Sequence, residues 1–256
     1  MNGQLIFVGV DLGNIEDLTI RALTAIKQTQ VFIVEDEIEF KHKLKRLNII
    51  NDKTIYQWPL SAVHKEIGWP VISDNELIKI IKDQVENNKN VVYCSAEGMP
   101  GTTDPGTRLV LLAMENGIGH TVYPGPSISS LVLAHSAFSS SEFIYKAMIP
   151  ENTKDQDDFL LDLRNKQMPF MCPYIRTTGY DSKTFVLEFL DKVINIFPND
   201  TLITVVINAT EYNEFIINDF VTRAKERLLD YTFGIPLKIS FLVIPSGSIP
   251  HPFMLY

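Results

Sequence analysis

Through the first half of the chain, short apolar runs alternate with longer stretches in which apolar residues recur every three to four positions. A period near two over four to eight residues marks a strand, and a period of 3.6 over ten or more marks an amphipathic helix. The pattern predicts strands near 4–9, 30–35, 54–57, 90–95 and 119–123. Helices are predicted near 15–28, 37–47, 74–87 and 105–116. Such alternation is the signature of βαβ units and a largely parallel sheet. Asn14 with Asp17 three residues on resembles a helix cap, Asp104-Pro105 places a cap before a proline at the first helical position, and Gly117 follows the last turn.

After the turn Pro124-Gly125-Pro126-Ser127, a helix at 127–137 leads into a second region. That region mixes strands near 143–148, 169–175, 201–207 and 237–244 with helices near 154–165, 182–196 and 217–229. The expected organisation is an N-terminal α/β domain over 1–125, a C-terminal α/β domain over 126–245 and a tail over 246–256.

A chain of 256 residues can bury two cores of ordinary size. Hydrophobic residues at 45% and charged residues at 21% are the balance of a folded protein, which sets disorder aside. The net charge of −8 is shared by both halves, so neither is a basic arm of the kind that neutralises nucleic-acid phosphates. Cys94 and Cys172 lie far apart in apolar stretches and read as core thiols in a reducing compartment. No secretion signal and no membrane-length apolar run is evident, so the expected location is the cytoplasm, with no membrane partner.

Strand 90–95 runs into a loop rich in glycine and proline, then into a helix opened by Asp104-Pro105. In open α/β sheets ligands bind beyond the carboxyl ends of the strands, which makes 96–104 a candidate site; a plain strand-to-helix connection is the alternative. The loop carries neither the dinucleotide glycine pattern nor a P-loop. The opening Phe7-Val8-Gly9-Val10-Asp11-Leu12-Gly13-Asn14 is a second strand-to-helix turn that would emerge on the same edge. His42, His64, His120, His135 and His251 are scattered without ligand spacing, so no metal is expected. Lys41, Lys43, Lys45 and Arg46 follow Glu35, Asp36, Glu37 and Glu39, and the four-residue spacing of Glu37 to Lys41 and Glu39 to Lys43 favours a salt-bridged helix surface over an RNA contact.

Three stretches together resemble the tetrapyrrole (corrin/porphyrin) methylase superfamily. They are FVGVDLGNIEDLTIRALTAIKQTQVFIVED, EGMPGTTDPGTRLVLLAMENGI and YPGPSISSLVLAHSAFSSSEFIYKAMIP. They are most similar to its branch of small-subunit ribosomal RNA 2′-O-ribose methyltransferases. The resemblance implies the two-domain tetrapyrrole methylase fold, with an N-terminal parallel sheet covered by helices on both faces and a C-terminal mixed α/β domain. It implies a homodimer and S-adenosylmethionine as cofactor, bent into the cleft between domains. The positions matching cofactor contacts are Leu12 and Gly13, then Gly98, Met99, Pro100, Gly101 and Thr102, then Ser127 and Ile128. Small-subunit ribosomal RNA is the implied substrate; a methylase of a small molecule, peptide or protein, or a non-catalytic cofactor-binding homologue, are the alternatives. Glu97 is the candidate catalytic base, because it adjoins the cofactor loop. An exposed loop carboxylate is the plainer reading of it.

The departures gather on the substrate side. Met99 stands where the superfamily often has Asp and the ribosomal branch Thr, and Ser95-Ala96-Glu97 replaces Ser-Asp-Ala. A histidine-rich segment is absent around Tyr56 to His64. Cys172-Pro173-Tyr174-Ile175-Arg176-Thr177 and Glu151-Asn152-Thr153-Lys154-Asp155 replace patterns of the ribosomal branch, with Tyr174 and Arg176 as candidate substrate contacts. A surface for RNA would have to draw on Lys41, Lys43, Lys45, Arg46, Arg164, Lys166 and Arg176.

Overall fold

The computed structural model describes residues 3–49, 52–59, 72–102, 104–136, 138, 142–150, 152–175, 182–232 and 238–248. The chain divides into two compact units, Met1–Ser127 and Ile128–Tyr256.

Unit 1 is built on a sheet of β1 (Leu5–Val8), β2 (Val31–Val34), β3 (Thr54–Gln57), β4 (Val91–Cys94) and β5 (His120–Tyr123). Its order is β3-β2-β4-β1-β5, and every pairing is parallel. The alternation that marks these strands places Leu5, Phe7, Val91 and Tyr93 on one face and Ile6, Val8, Val92 and Cys94 on the other. The first face is covered by α3 (Asp74–Glu86) and α4 (Gly106–Glu115), through Leu77, Ile78, Ile81, Leu109 and Ala113. The second is covered by α1 (Ile20–Gln28) and α2 (Glu37–Arg46), through Ala22, Ala25, Ile26, Phe40 and Leu44.

The single helix expected over 15–28 is two pieces. Asn14 caps a short 3-10 turn, Ile15–Asp17, and Thr19 then caps α1 by accepting from the Ala22 N–H. Two capping side chains five residues apart each offer the backbone a local bond, and the chain starts its helix twice. Helix α3 opens with a reciprocal box in which Ser73 and Glu76 satisfy one another's backbone amides. Those hydrogen bonds from Ser73 also hold the Glu76 carboxyl below its ordinary range.

Unit 2 carries a mixed sheet in the order β6-β7-β10-β8-β9. Its strands are β6 (Ile144–Tyr145), β7 (Phe170–Ile175), β8 (Leu202–Ile207), β9 (Phe215–Phe220) and β10 (Ile239–Ile244). Among the described residues of this unit, only β6 and β7 pair in parallel. Helices α6 (Thr153–Lys166), α7 (Ser182–Ile196) and α8 (Val221–Leu229) bury Leu160, Leu163, Phe189, Val193, Ala224 and Leu228 against one face. On the other, α5 (Ile128–His135) places Val132 against Met171, Val206 and Leu242.

The helix expected over 217–229 begins only at Val221, because Phe215–Phe220 is a strand antiparallel to β8. Phe215-Ile216-Ile217 is an aromatic and β-branched run suited to a pleated surface, and the helical spacing starts with Val221, Ala224 and Leu228. Of the predicted tail, only 246–248 lie among the described residues; there Ser246 donates to Asp200 and Ser248 to the Gln167 carbonyl.

Candidate active site

Because β4, β1 and β5 are consecutive neighbours in a parallel sheet, the segments that follow them leave the same edge side by side. These are 95–105, 9–14 and 124–127, and main-chain bonds stitch them together. The Val10 N–H donates to the Gly98 carbonyl at 2.9 Å, the Gly98 N–H to the Asp11 carbonyl at 3.1 Å, and the Gly9 N–H to the Tyr123 carbonyl at 3.1 Å.

Gly9 and Gly125 make the close approach possible. A Cβ on either would sit 2.7 Å from the Cα of the other, a distance that requires the backbone to move. The thioether of Met99 closes the same spot: its sulfur accepts the Gly125 N–H at 2.9 Å and lies 2.9 Å from where a Gly9 Cβ would be. Met99 therefore takes a packing role at this junction.

The loop after β4 is fixed at both ends by carboxylates. Glu35, which follows β2, accepts the Ala96 N–H at 2.6 Å, and Ser95 folds its hydroxyl onto the Glu97 and Gly98 carbonyls. At the far end, Asp104 accepts from the N–H groups of Gly101, Thr102 and Gly106 and from the Tyr93 hydroxyl at 3.0 Å. Burial, then the negative charge of Asp104, pushes the Tyr93 hydroxyl far above its ordinary range, so it remains a donor. The cap expected at Asp104 falls one residue short: the helix begins at Gly106 with Pro105 in the cap position and no side-chain cap there, and Asp104, just outside the helix, takes the Gly106 amide instead.

Beneath the first loop lies a buried ion pair. Asp11 is fully buried, and both its oxygens accept from the Lys43 ammonium at 2.9 Å. Arg46 reaches the Gly13 carbonyl at 3.3 Å. The sequence reading placed Lys43 on a salt-bridged surface, and the pairs of Glu37 with Lys41 and Glu39 with Lys43 do form. It missed that Lys43 turns inward. The available signal was Asp11 itself, a charge inside an apolar run that needs a partner when buried.

Of the residues expected to contact a cofactor in unit 1, Leu12 and Gly98 meet where the two loops join, and Gly13 and Met99 to Thr102 lie along those adjoining loops. Leu12 is buried, with its side chain against Gly98, which sits at a φ of +66°. Gly101 and Thr102 are exposed, and Gly101 has a φ of +89°. A Cβ on Gly101 would meet only the Thr107 methyl, at 3.6 Å, so glycine is required there by the backbone angle rather than by crowding. Ser127 ends unit 1 and Ile128 begins unit 2. Glu97, half-buried, lies at the start of the loop. Glu35, Asp104, Gly9 and Gly125 are the parts of this edge whose roles sequence reasoning missed or gave only in part. Tyr174 belongs to β7, and Arg176 lies outside the described residues.

Among the described residues no cluster of three or more His, Cys, Asp or Glu is placed to hold a metal, and no helix is long and apolar enough to cross a membrane.

Comparison with known proteins agrees with this architecture. A ribosomal RNA small subunit methyltransferase I of Thermotoga maritima is 32% identical over 148 residues, covering 58% of this chain and 61% of that protein. The enzyme of that name from Helicobacter pylori strain 26695 is 29% identical over 155 residues, 60% of this chain and 53% of the relative. These alignments span less than two thirds of the relatives' own length. A Hydrogenobaculum protein of the same name is 27% identical over 227 residues, covering 88% of this chain and 90% of the relative. Among solved structures, the cobalamin biosynthetic enzyme cobalt precorrin-4 methyltransferase shares the fold, with a TM-score of 0.61, 17% identity and 94% of each chain covered. The family described as Tetrapyrrole (Corrin/Porphyrin) Methylases matches residues 4–222, and the chain belongs to that family.

Proposed function

We propose that this protein transfers a methyl group from S-adenosylmethionine to a ribose 2′-hydroxyl of small-subunit ribosomal RNA. The observation that carries the transferase reading is the convergence of 9–14, 95–105 and 124–127 at the carboxyl edge of β4, β1 and β5. The substrate is supported by the names of the relatives from Thermotoga, Helicobacter and Hydrogenobaculum. Leu12, Gly13, Gly98 to Thr102, Ser127 and Ile128 would hold the cofactor, chiefly through peptide groups.

The cofactor supplies an electrophilic methyl group and a neutral leaving thioether, so the protein's main contribution is to align the acceptor oxygen with it. Glu97 is the proposed base that receives the hydroxyl proton. The protein is expected to act as a cytoplasmic homodimer, and light scattering at about twice the 29.1 kDa chain mass would show the dimer.

A second reading, methylation of a small molecule, peptide or protein, is favoured by a specific observation. Three of the four cations on α2 are committed within unit 1: Lys41 to Glu37, Lys43 to Asp11, and Arg46 to Gly13. Phosphate binding would have to come from elsewhere on a chain of net charge −8.

Purified protein and radiolabelled cofactor, incubated with unmodified small subunits and in parallel with extract from cells lacking the gene, separate the readings. Label in RNA ribose supports the first. Label only in small molecules or protein supports the second, and cofactor binding without turnover points to a non-catalytic homologue.

A further inference from the structure

A carboxylate has two oxygens with about four acceptor positions, and an ionised one cannot donate. Asp104 uses all four. One oxygen accepts from the N–H groups of Gly101 at 2.5 Å and Thr102 at 3.2 Å; the other accepts from the Gly106 N–H at 2.6 Å and the Tyr93 hydroxyl at 3.0 Å. The two oxygens thus do different work. The one facing Gly106 bonds the first amide of α4, at the helix's positive end, where a negative charge is favoured. The other reaches back over the loop and gathers the amides of two exposed residues, one of them held at a φ of +89°.

The neighbouring glycine completes the device. A Cβ on Gly106 would lie 2.6 Å from the Asp104 oxygen, 3.1 Å from the Gly101 nitrogen and 3.1 Å from the Tyr93 ring, so a side chain there would evict the carboxylate. Thr102 adds one more tie, its hydroxyl donating to the Met99 carbonyl at 3.2 Å. Saturated in this way, Asp104 has no lone pair left to take a proton from a substrate.

We propose that Asp104 is a positioning residue for the cofactor: through the oxygen that binds Gly101 and Thr102, it holds segment 99–102 in the conformation that receives S-adenosylmethionine. The proposal rests on the cofactor reading above, and it separates loop shaping from the tie to the first amide of α4, two roles that one side chain performs with different atoms.

Asp104→Ser makes that separation experimentally. A serine hydroxyl can accept the Gly106 amide two residues on, but its single short oxygen cannot also span to Gly101 and Thr102. Asp104→Asn, which keeps the size and one carbonyl oxygen, is the second variant should the serine fail to fold. Affinity for S-adenosylhomocysteine is measured by calorimetry, amide exchange across peptide 96–107 by mass spectrometry, and the melting temperature alongside.

The expected result for the serine variant is a melting temperature within a few degrees of the parent, with at least tenfold faster exchange confined to 96–107 and at least tenfold weaker binding. Parental exchange and parental affinity in a folded variant would overturn the proposal, as would a loss of affinity matched by loosening throughout unit 1. If the parent protein itself binds no S-adenosylhomocysteine, the cofactor reading fails and takes the positioning role with it, whereas binding by the parent with an unaffected variant fails the positioning role alone.

Discussion

Replacing Lys43 with methionine removes a charge without removing much volume, and it leaves the Asp11 carboxylate buried with no cation. The Asp11 side chain is 0% exposed and that of Lys43 10%, with both carboxylate oxygens 2.9 Å from the ammonium. A surface pair of the same length would be worth about 0–1 kcal/mol. Breaking a buried pair by deleting one partner costs about 3–5 kcal/mol, because the charge left behind has lost its solvation and its partner. The second contact of Lys43, with Glu39 at 3.4 Å, involves a half-exposed carboxylate and adds little. For a domain the size of unit 1, each kcal/mol moves the melting temperature by about 4 °C, so Lys43→Met should melt about 12–20 °C lower. Asp11→Asn combined with Lys43→Met removes both charges, and it should recover at least half of that loss. Calorimetric unfolding of the parent, both single variants and the double variant closes the cycle. A Lys43→Met protein that melts within 2 °C of the parent would refute the reasoning, as would a double variant no better than the single.

Gly125→Ala should lower stability by at least about 2 kcal/mol in denaturant unfolding, because its Cβ would meet the Gly9 backbone at 2.7 Å. Met99→Ala removes the acceptor of the Gly125 N–H, and calorimetry should show weaker cofactor binding in a protein that remains folded. Gly101→Leu forces a side chain onto a φ of +89° and should abolish cofactor binding at a cost of about 1–2 kcal/mol in stability; unchanged affinity would remove this loop from the site. Burial pushes the Cys94 and Cys172 thiols up to about 12, so neither should react with a disulfide reagent at pH 8 until the protein unfolds. Since the unfolded thiols ionise near 9, these groups contribute stability below that pH, and it is lost as pH rises towards 12.

The strands of unit 1 were legible because each is four residues of a parallel sheet, fully buried in β1, β2 and β4, and separated from the next by helices with one apolar face. The edge strand β9 was not, because Phe215 to Phe220 abuts a true helix with no glycine or proline between them, and an apolar run of that length fits either element. The candidate loops were legible from glycine, proline and their place after strands. What holds them in shape was less so. Glu35 meets Ala96 and Lys43 meets Asp11 across 61 and 32 residues of sequence, contacts that only the strand order β3-β2-β4-β1-β5 creates. Asp104-Pro105 placed Asp104 at the helix start to within one residue, whereas its bonds to Gly101 and Thr102 depend on the loop turning back.

The central claim is that the edge formed by 9–14, 95–105 and 124–127 takes up S-adenosylmethionine, and the most direct measurement is a calorimetric titration of the purified protein with S-adenosylhomocysteine, with Gly101→Leu as the paired sample. The account predicts saturable binding at one site per chain in the parent protein and none in the variant. No binding by the parent at millimolar ligand, or equal binding by both proteins, would contradict it.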